Sequence, residues 1–173
     1  MKKIGIFYGP EKGSVEKVAG KLVEKLGADR VDMHPVKHAD AETLNRYENI
    51  IFGISTVGRE TWDAEYNSED WDRFLPKITG IDFSRKKIAM YGLGDQVRYA
   101  RDFVNALGGL GRLLLKNNAN IIGQVSTEGY NFEDSEGIHE GLFFGLPLDE
   151  DNEPEKTDAR LDRWVAQIVS SFD

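Results

Sequence analysis

Two hydrophobic periods alternate along this chain. Residues 3–8 form a short apolar run, after which Val15, Val18, Ala19, Leu22 and Leu26 recur at helical spacing until Gly27. The first pattern predicts a strand and the second an amphipathic helix starting near Ser14. Residues 30–33 read as a second strand stopped by Pro35, and residues 40–46 as a short helix. Residues 49–54 are nearly all apolar, the pattern of a strand buried on both faces. Beyond a long polar stretch, Asn67 or Ser68 is placed to cap a helix whose stripe is Trp71, Phe74, Leu75 and Ile78. A fourth strand follows at 87–91, closed by Gly92. A helix over 100–116 then turns Phe103, Val104, Leu107, Leu110 and Leu114 inward, although Gly108, Gly109 and Gly111 each lower its intrinsic helicity by about 1 kcal/mol. A fifth strand begins at 120–125 and resumes at Gly145-Leu146-Pro147-Leu148, interrupted by the polar segment 126–144. Thr157 is the expected N-cap of a last helix with Leu161, Trp164, Val165, Ile168 and Phe172 on one face.

Strand–helix alternation with apolar strands predicts an α/β fold, a doubly wound five-stranded parallel sheet covered on both faces. The expected strand order is 2-1-3-4-5, with an insertion interrupting strand five. In such a sheet ligands sit at the carboxyl ends of the strands where the order reverses, which brings together the loops after strands one, three and four.

The chain has 173 residues, the length of a single domain, 1–173. It contains no cysteine, and its three histidines lack a zinc-ligand spacing, so neither a thiol nucleophile nor a metal site is expected. No apolar run approaches a membrane span and no leader pattern is present, so a soluble, cytoplasmic protein is expected, most simply a monomer. With 22 basic against 30 acidic residues the net charge is −8. That balance disfavours nucleic acid and favours partners with basic docking surfaces, although a negative surface also serves solubility alone.

The first of the three loops, Gly9-Pro10-Glu11-Lys12-Gly13-Ser14, joins strand directly to helix. Backbone amides at a helix N-terminus, with the helix dipole behind them, make an anion cradle. The spacing fits neither the dinucleotide fingerprint nor the Walker loop. The second loop carries Trp62 and Tyr66 and the third Asp95 and Tyr99, so an anion cradle faces aromatic residues on two sides. That combination suits a flat phosphorylated ring system, although a single aromatic in a loop is more often surface or rim packing.

The third loop, Gly92-Leu93-Gly94-Asp95-Gln96-Val97-Arg98-Tyr99, closely resembles the Gly-x-Gly-Asp-Gln-x-Gly-Tyr loop of flavodoxins. Ser126-Thr127-Glu128-Gly129-Tyr130 with Phe132, Phe144-Gly145-Leu146, Leu148-Asp149-Glu150-Asp151-Asn152 and Trp164-Val165-Ala166-Gln167-Ile168 are similar to the C-terminal half of the long-chain members. The 2-1-3-4-5 order, with FMN at its switch point, is the one flavodoxins themselves exemplify. The resemblance implies a flavodoxin-like fold holding FMN and shuttling single electrons at low potential between redox enzymes, without catalytic residues of its own. It places the phosphate at Pro10, Glu11, Lys12, Gly13, Ser14 and Val15, and the ring between Ser55, Thr56, Val57, Gly58 and Trp62 on one side and Leu93, Gly94, Asp95 and Tyr99 on the other. Tyr99 would stack on the outer face and Asp95 lie beside the pyrimidine edge, with Asp102 and Asp149 on the rim. Asp63, Glu65, Glu69, Asp70 and Asp95 near the ring would disfavour added negative charge and so lower the potential.

Several positions depart from the family. Pro10, Lys12 and Val15 stand where Ser or Thr is usual, removing three hydroxyl donors, and Pro10 also lacks an N–H. Lys12 offers an ammonium in exchange, with Glu11 opposing it. Val57 replaces an inner-face Trp, leaving either Val57 or Trp62 to cover the ring. Arg98 replaces a Gly whose backbone conformation other residues disfavour. Two other functions stay open: a flavodoxin-like module with weakened or lost FMN binding, and an FMN-dependent NAD(P)H:quinone-type reductase. A phospho-receiver is excluded because Tyr8-Gly9 and Gly53-Ile54 supply no acidic residues at the ends of strands one and three.

Overall fold

The computed structural model describes residues 2–56 and 69–172. The first strand, β1 (Ile4–Tyr8), is buried along its whole length and pairs in parallel with β2 (Val31–Pro35) on one side and β3 (Asn49–Ser55) on the other. β4 (Lys87–Leu93) lies beyond β3. The far edge of β4 is shared by two pieces of one interrupted strand. β5 (Asn120–Ile121) pairs with Lys87 and Ile88, and β9 (Leu146–Leu148) pairs with Tyr91, Gly92 and Leu93. The order β2-β1-β3-β4-β5 is the one expected.

Between the two pieces the chain leaves the sheet and forms a small antiparallel sheet from β6 (Val125–Ser126), β7 (Ile138–His139) and β8 (Leu142–Phe143), in the order β6-β8-β7. The first piece is shorter than the 120–125 expected, because Gly123 takes a φ of 76° that turns the chain out of the sheet. The chain rejoins at Gly145, where a Cβ would lie 2.0 Å from the Met90 carbonyl oxygen, so only glycine permits the approach.

Period-two alternation divides the core. Ile4, Ile6 and Tyr8 of β1 face α1 (Ser14–Leu26) and α5 (Thr157–Val169), with Val18, Leu22, Leu161, Trp164 and Ile168 packed against them. Phe7 and Phe52 point the other way, towards α3 (Glu69–Ile78) and α4 (Asn105–Lys116), where Trp71, Phe74, Leu107 and Leu110 complete the second layer. A short α2 (Ala41–Asn45) is capped by the Asp40 carboxylate, which accepts from the Thr43 amide. Among the described residues no helix is long and apolar enough to cross a membrane.

Two helix boundaries differ from expectation. The fourth helix starts at Asn105 rather than near residue 100, because Val104 adopts a left-handed φ of 48°. Phe103 and Val104 are nonetheless fully buried, which is why their apolar spacing imitated a helix. The residues before them are tied instead to the excursion: the Glu133 and Asp134 amides both donate to the Ala100 carbonyl, at 2.8 and 3.0 Å. Thr157 is the first residue of α5 rather than its cap. A 3-10 turn, Pro154–Lys156, precedes it, and the buried Thr157 hydroxyl donates to Glu150.

Candidate functional site

The loops leaving β1, β3 and β4 meet at the carboxyl end of the sheet. In the first loop Gly13 occupies the N-cap position of α1 and offers no side chain. Lys12 takes a left-handed φ of 64° and its side chain is exposed. Glu16, in the first turn, holds the loop from behind: one carboxylate oxygen accepts from the Lys12 amide and the other from the Tyr8 hydroxyl, both at 3.0 Å. Burial, reinforced by the bond to Glu16, pushes the Tyr8 hydroxyl well above its ordinary pKa, so it stays a donor. Tyr91, fully buried, donates to the Val15 carbonyl at 2.8 Å and pins the same turn to the sheet. Among the described residues none accepts from the amides of Gly13, Ser14, Val15 or Glu16. Four donors at the positive end of a 13-residue helix are thus left for an anion. Glu11 is drawn towards His38, whose ring nitrogen lies 3.8 Å from its carboxylate.

In the second loop, Ser55 ends β3 and Thr56 follows. The Thr56 amide donates to the Leu93 carbonyl at 2.9 Å, and its hydroxyl accepts from the Ala106 amide at 2.9 Å. Thr56 therefore caps α4 from across the site, which explains how Val104 serves at the N-cap without a side-chain bond of its own. Val57, Gly58 and Trp62, with Asp63 and Glu65, lie outside the described residues. An apolar cleft of about 210 Å³ lies between this loop and the first, lined by Gly9, Pro10, Ser55, Trp71, Ala106 and Leu110.

The third loop is folded by Asp95, whose Oδ1 accepts from the Val97 amide at 3.0 Å and the Arg98 amide at 2.7 Å. The Tyr99 amide returns to the Asp95 carbonyl. Leu93 and Gly94 are buried beneath, and Gly94 is packed so closely that a Cβ would lie 2.9 Å from the Phe103 ring. Tyr99 is half-buried, and the Arg98 guanidinium sits 5.8 Å from its ring centroid. Arg98 is not among the residues with positive φ, so its replacement of glycine imposes no strain on the turn. Asp102 is exposed and accepts from the Asn105 side chain at 3.1 Å.

Asp149 is not on the rim. It has no exposed surface, and its carboxylate accepts from the amide and side chain of Gln96 and from the amide and side chain of Asn152, at 2.9–3.1 Å. Burial first, then repulsion from Asp95 and Asp149, hold the neighbouring Asp151 carboxyl above its ordinary range. The site is thus strongly acidic at the third loop and donor-rich at the first. Among the described residues no cluster of histidine and carboxylate side chains is arranged to hold a metal ion.

The family model for flavodoxin matches residues 6–164. The chain belongs to the flavodoxin family. The flavodoxin of a Nostoc species is 39% identical over 171 residues, covering 99% of this chain and 98% of that one. The flavodoxin of Buchnera aphidicola is 41% identical over 174 residues, with 99% and 98% covered. Among solved structures, Fusobacterium nucleatum flavodoxin bound to flavin mononucleotide matches with a TM-score of 0.89 at 29% identity, each chain being covered in full.

What the residue pattern of this flavodoxin-family chain did not show is the polar scaffold behind the loops. Tyr91, Glu153 and Arg160 carry no site signal in sequence, because each bonds inward to a distant segment; Glu16 bonds back to its own loop, and Gln96 and Asn152 stand in the resembling motifs without their partners being readable there. Glu153 shows the electrostatics most plainly. Burial alone would raise its carboxyl, but hydrogen bonds from Lys156, Gln96 and Arg160 outweigh that and bring it down to about 2. A carboxyl depressed on folding stabilises the protein fully above its ordinary value of 4.5, and that contribution is lost as pH falls from there towards 2. Urea midpoints measured at pH 6 and pH 3 are expected to fall less for Glu153→Gln than for the parent chain. An equal fall in both would remove Glu153 from the acid sensitivity.

Proposed function

We propose that this chain binds FMN and carries single electrons between redox proteins. The observation that carries this reading is the set of amides at Gly13, Ser14, Val15 and Glu16 that find no acceptor among the described residues, backed by the α1 dipole and held open by Glu16 and Tyr91. They fit a phosphate dianion, and the FMN-bound relative and the flavodoxin family support the same cofactor. The Ser14 hydroxyl and the Lys12 ammonium supplement the amides and take the place of the missing hydroxyls. Pro10 and Glu11 shape the loop around them. On the ring side, Ser55, Leu93 and Gly94 form the floor, Tyr99 covers the outer face, Asp95 lies by the pyrimidine edge and Asp102 lies on the rim. Thr56 acts by capping α4, and Asp149 acts from beneath. Val57, Gly58 and Trp62 are assigned to the inner face.

Bound FMN supplies reversible one-electron chemistry; the protein's part is to hold it, shield it and bias its charge. The carboxylates of Asp95 and Asp151 beside the ring oppose added negative charge and lower the potential. The protein acts as a cytoplasmic monomer of one domain, docking on basic surfaces of its partners, and the acidic third loop supports that charge pairing.

Mixing the flavin-free chain with FMN should give a yellow complex with a perturbed visible spectrum and quenched flavin fluorescence. No binding at tens of micromolar would end the assignment. Steady oxidation of NAD(P)H by the pure FMN-loaded protein would instead make it a reductase.

A further inference from the structure

Gln96 and Val97 are neighbours at opposite extremes of exposure, 4% and 73%. The loop has folded so that an amide side chain is buried and an aliphatic one faces solvent, the reverse of the hydrophobic preference. Both N–H donors and the carbonyl oxygen of that amide are engaged. Its Nε2 donates to Asp149 Oδ2 at 3.0 Å and to Glu153 Oε2 at 2.9 Å, and its Oε1 accepts from the Asn131 amide at 2.6 Å. The Gln96 backbone amide adds a second bond to Asp149 Oδ2 at 3.0 Å. Two carboxylates and one N–H converge, so the partners need two donors and one acceptor on a single side chain. Only a primary amide offers that set at this reach.

The partners lie on two segments: Asn131 in the excursion, and Asp149 with Glu153 in one turn, where the Glu153 amide donates to the Asp149 carbonyl at 2.9 Å. Asp149 passes the connection to Asn152, whose side chain donates to Asp95 Oδ1 at 2.8 Å, the same oxygen that receives the Val97 and Arg98 amides. Glu153 is shared with Lys156 and with Arg160, which lies in α5. Arg160 in turn donates to the Gly129 carbonyl at 3.1 Å and lies over the Tyr130 ring, 4.2 Å from its centroid. The excursion segment 129–131 is thus clamped between Arg160 and Gln96, and the loop carrying Tyr99 is clamped by the same amide.

We propose that Gln96 is a positioning residue for the flavin ring: it locks the loop that presents Asp95 and Tyr99 to the excursion and to the start of α5. This rests on the FMN reading above. The amide touches no phosphate donor, so its effect belongs to the ring side alone. Gln96→Met keeps the length but removes both donors and the acceptor, leaving the buried Asp149, the half-buried Glu153 and the Asn131 amide each one partner short.

The test titrates the full chain, stripped of flavin, with FMN and separately with riboflavin, and records visible-region circular dichroism of each complex and the melting of the flavin-free protein. Gln96→Met is expected to weaken both flavins by a common factor of about 10, equivalent to about 1.4 kcal/mol, with altered visible dichroism. Unchanged affinities and dichroism beside a lowered melting temperature would overturn the proposal and leave Gln96 a structural residue. Loss of FMN affinity with riboflavin unaffected would overturn it too, by moving the effect to the phosphate. If Gln96→Met does not fold, Glu153→Gln, which keeps the shape and removes the charge, is expected to weaken both flavins by a common factor of about 3, against the same overturning results. A parent chain that binds neither flavin ends the FMN reading and this inference together. Equal affinities in parent and variant end this one alone.

Discussion

Replacing Ser14 with alanine is expected to weaken FMN binding about 10- to 100-fold and to leave riboflavin binding unchanged. Ser14 carries the one hydroxyl in the stretch from Gly9 to Val15, because Pro10, Lys12 and Val15 occupy positions where flavodoxins usually carry Ser or Thr. A hydroxyl bonded to a phosphate dianion is charge-assisted and contributes about 1.5–3 kcal/mol, which is the quoted range of affinity. The neighbouring amides remain in place, since Glu16 and Tyr91 fix the turn without help from Ser14. Riboflavin lacks the phosphate, so it senses none of the loss. Lys12, whose side chain is exposed, contributes a charge that salt screens, and raising the ionic strength should therefore narrow the gap between FMN and riboflavin. Fluorescence quenching with the two flavins measures both effects. A Ser14→Ala variant that loses the two flavins equally, or loses neither, would remove the Ser14 hydroxyl from phosphate binding.

Gly53→Ala is expected to destabilise the protein by about 2–4 kcal/mol, lowering Tm by roughly 4–16 °C. Gly53 lies directly across from Tyr91 in adjacent parallel strands. A Cβ at Gly53 would meet the Tyr91 ring and hydroxyl at 2.2 Å. Tyr91 has no exposed surface into which to retreat. The ring must move and its hydroxyl must leave the Val15 carbonyl, so overpacking is added to the loss of a buried hydrogen bond. The displaced bond is also the one that pins the first turn of α1, so FMN affinity should fall with stability. Gly20→Ala provides the contrast. It lies within α1, a Cβ there meets nothing within 4 Å, and the substitution should stabilise by about 0.5–1 kcal/mol. Thermal melts of both variants check the pair. A Gly53→Ala protein as stable as its parent would refute the close approach.

Most of the fold was legible because its signals are local. Val15, Val18, Ala19, Leu22 and Leu26 are all buried on one face of α1, and Gly27 ends that helix with a φ of 103°. Trp71, Phe74 and Ile78 are buried as their spacing required. The same logic misplaced the start of α4, since Phe103 and Val104 are buried from a turn, and periodicity records burial rather than backbone angle. Loop chemistry was legible where it is local: the amides after Gly13 start α1 where the apolar spacing placed it and find no acceptor among the described residues. It was illegible where a polar side chain turns inward. Thr56 is spent on capping α4, and Asp149 is buried under Gln96 and Asn152.

The sequence by itself determined the alternation of strands and helices, the fact that strand five is broken, and the three loops that meet at the carboxyl end of the sheet. Those follow from residue spacing within a few turns or a few strand residues, a one-dimensional property. Only the tertiary structure decided which polar groups are consumed by the scaffold and which are left for a ligand. Gln96 finds its partners 35 and 53 positions away, at Asn131 and Asp149. Such pairings exist only once the sheet has brought the loops together and burial has made every unpaired donor or acceptor costly.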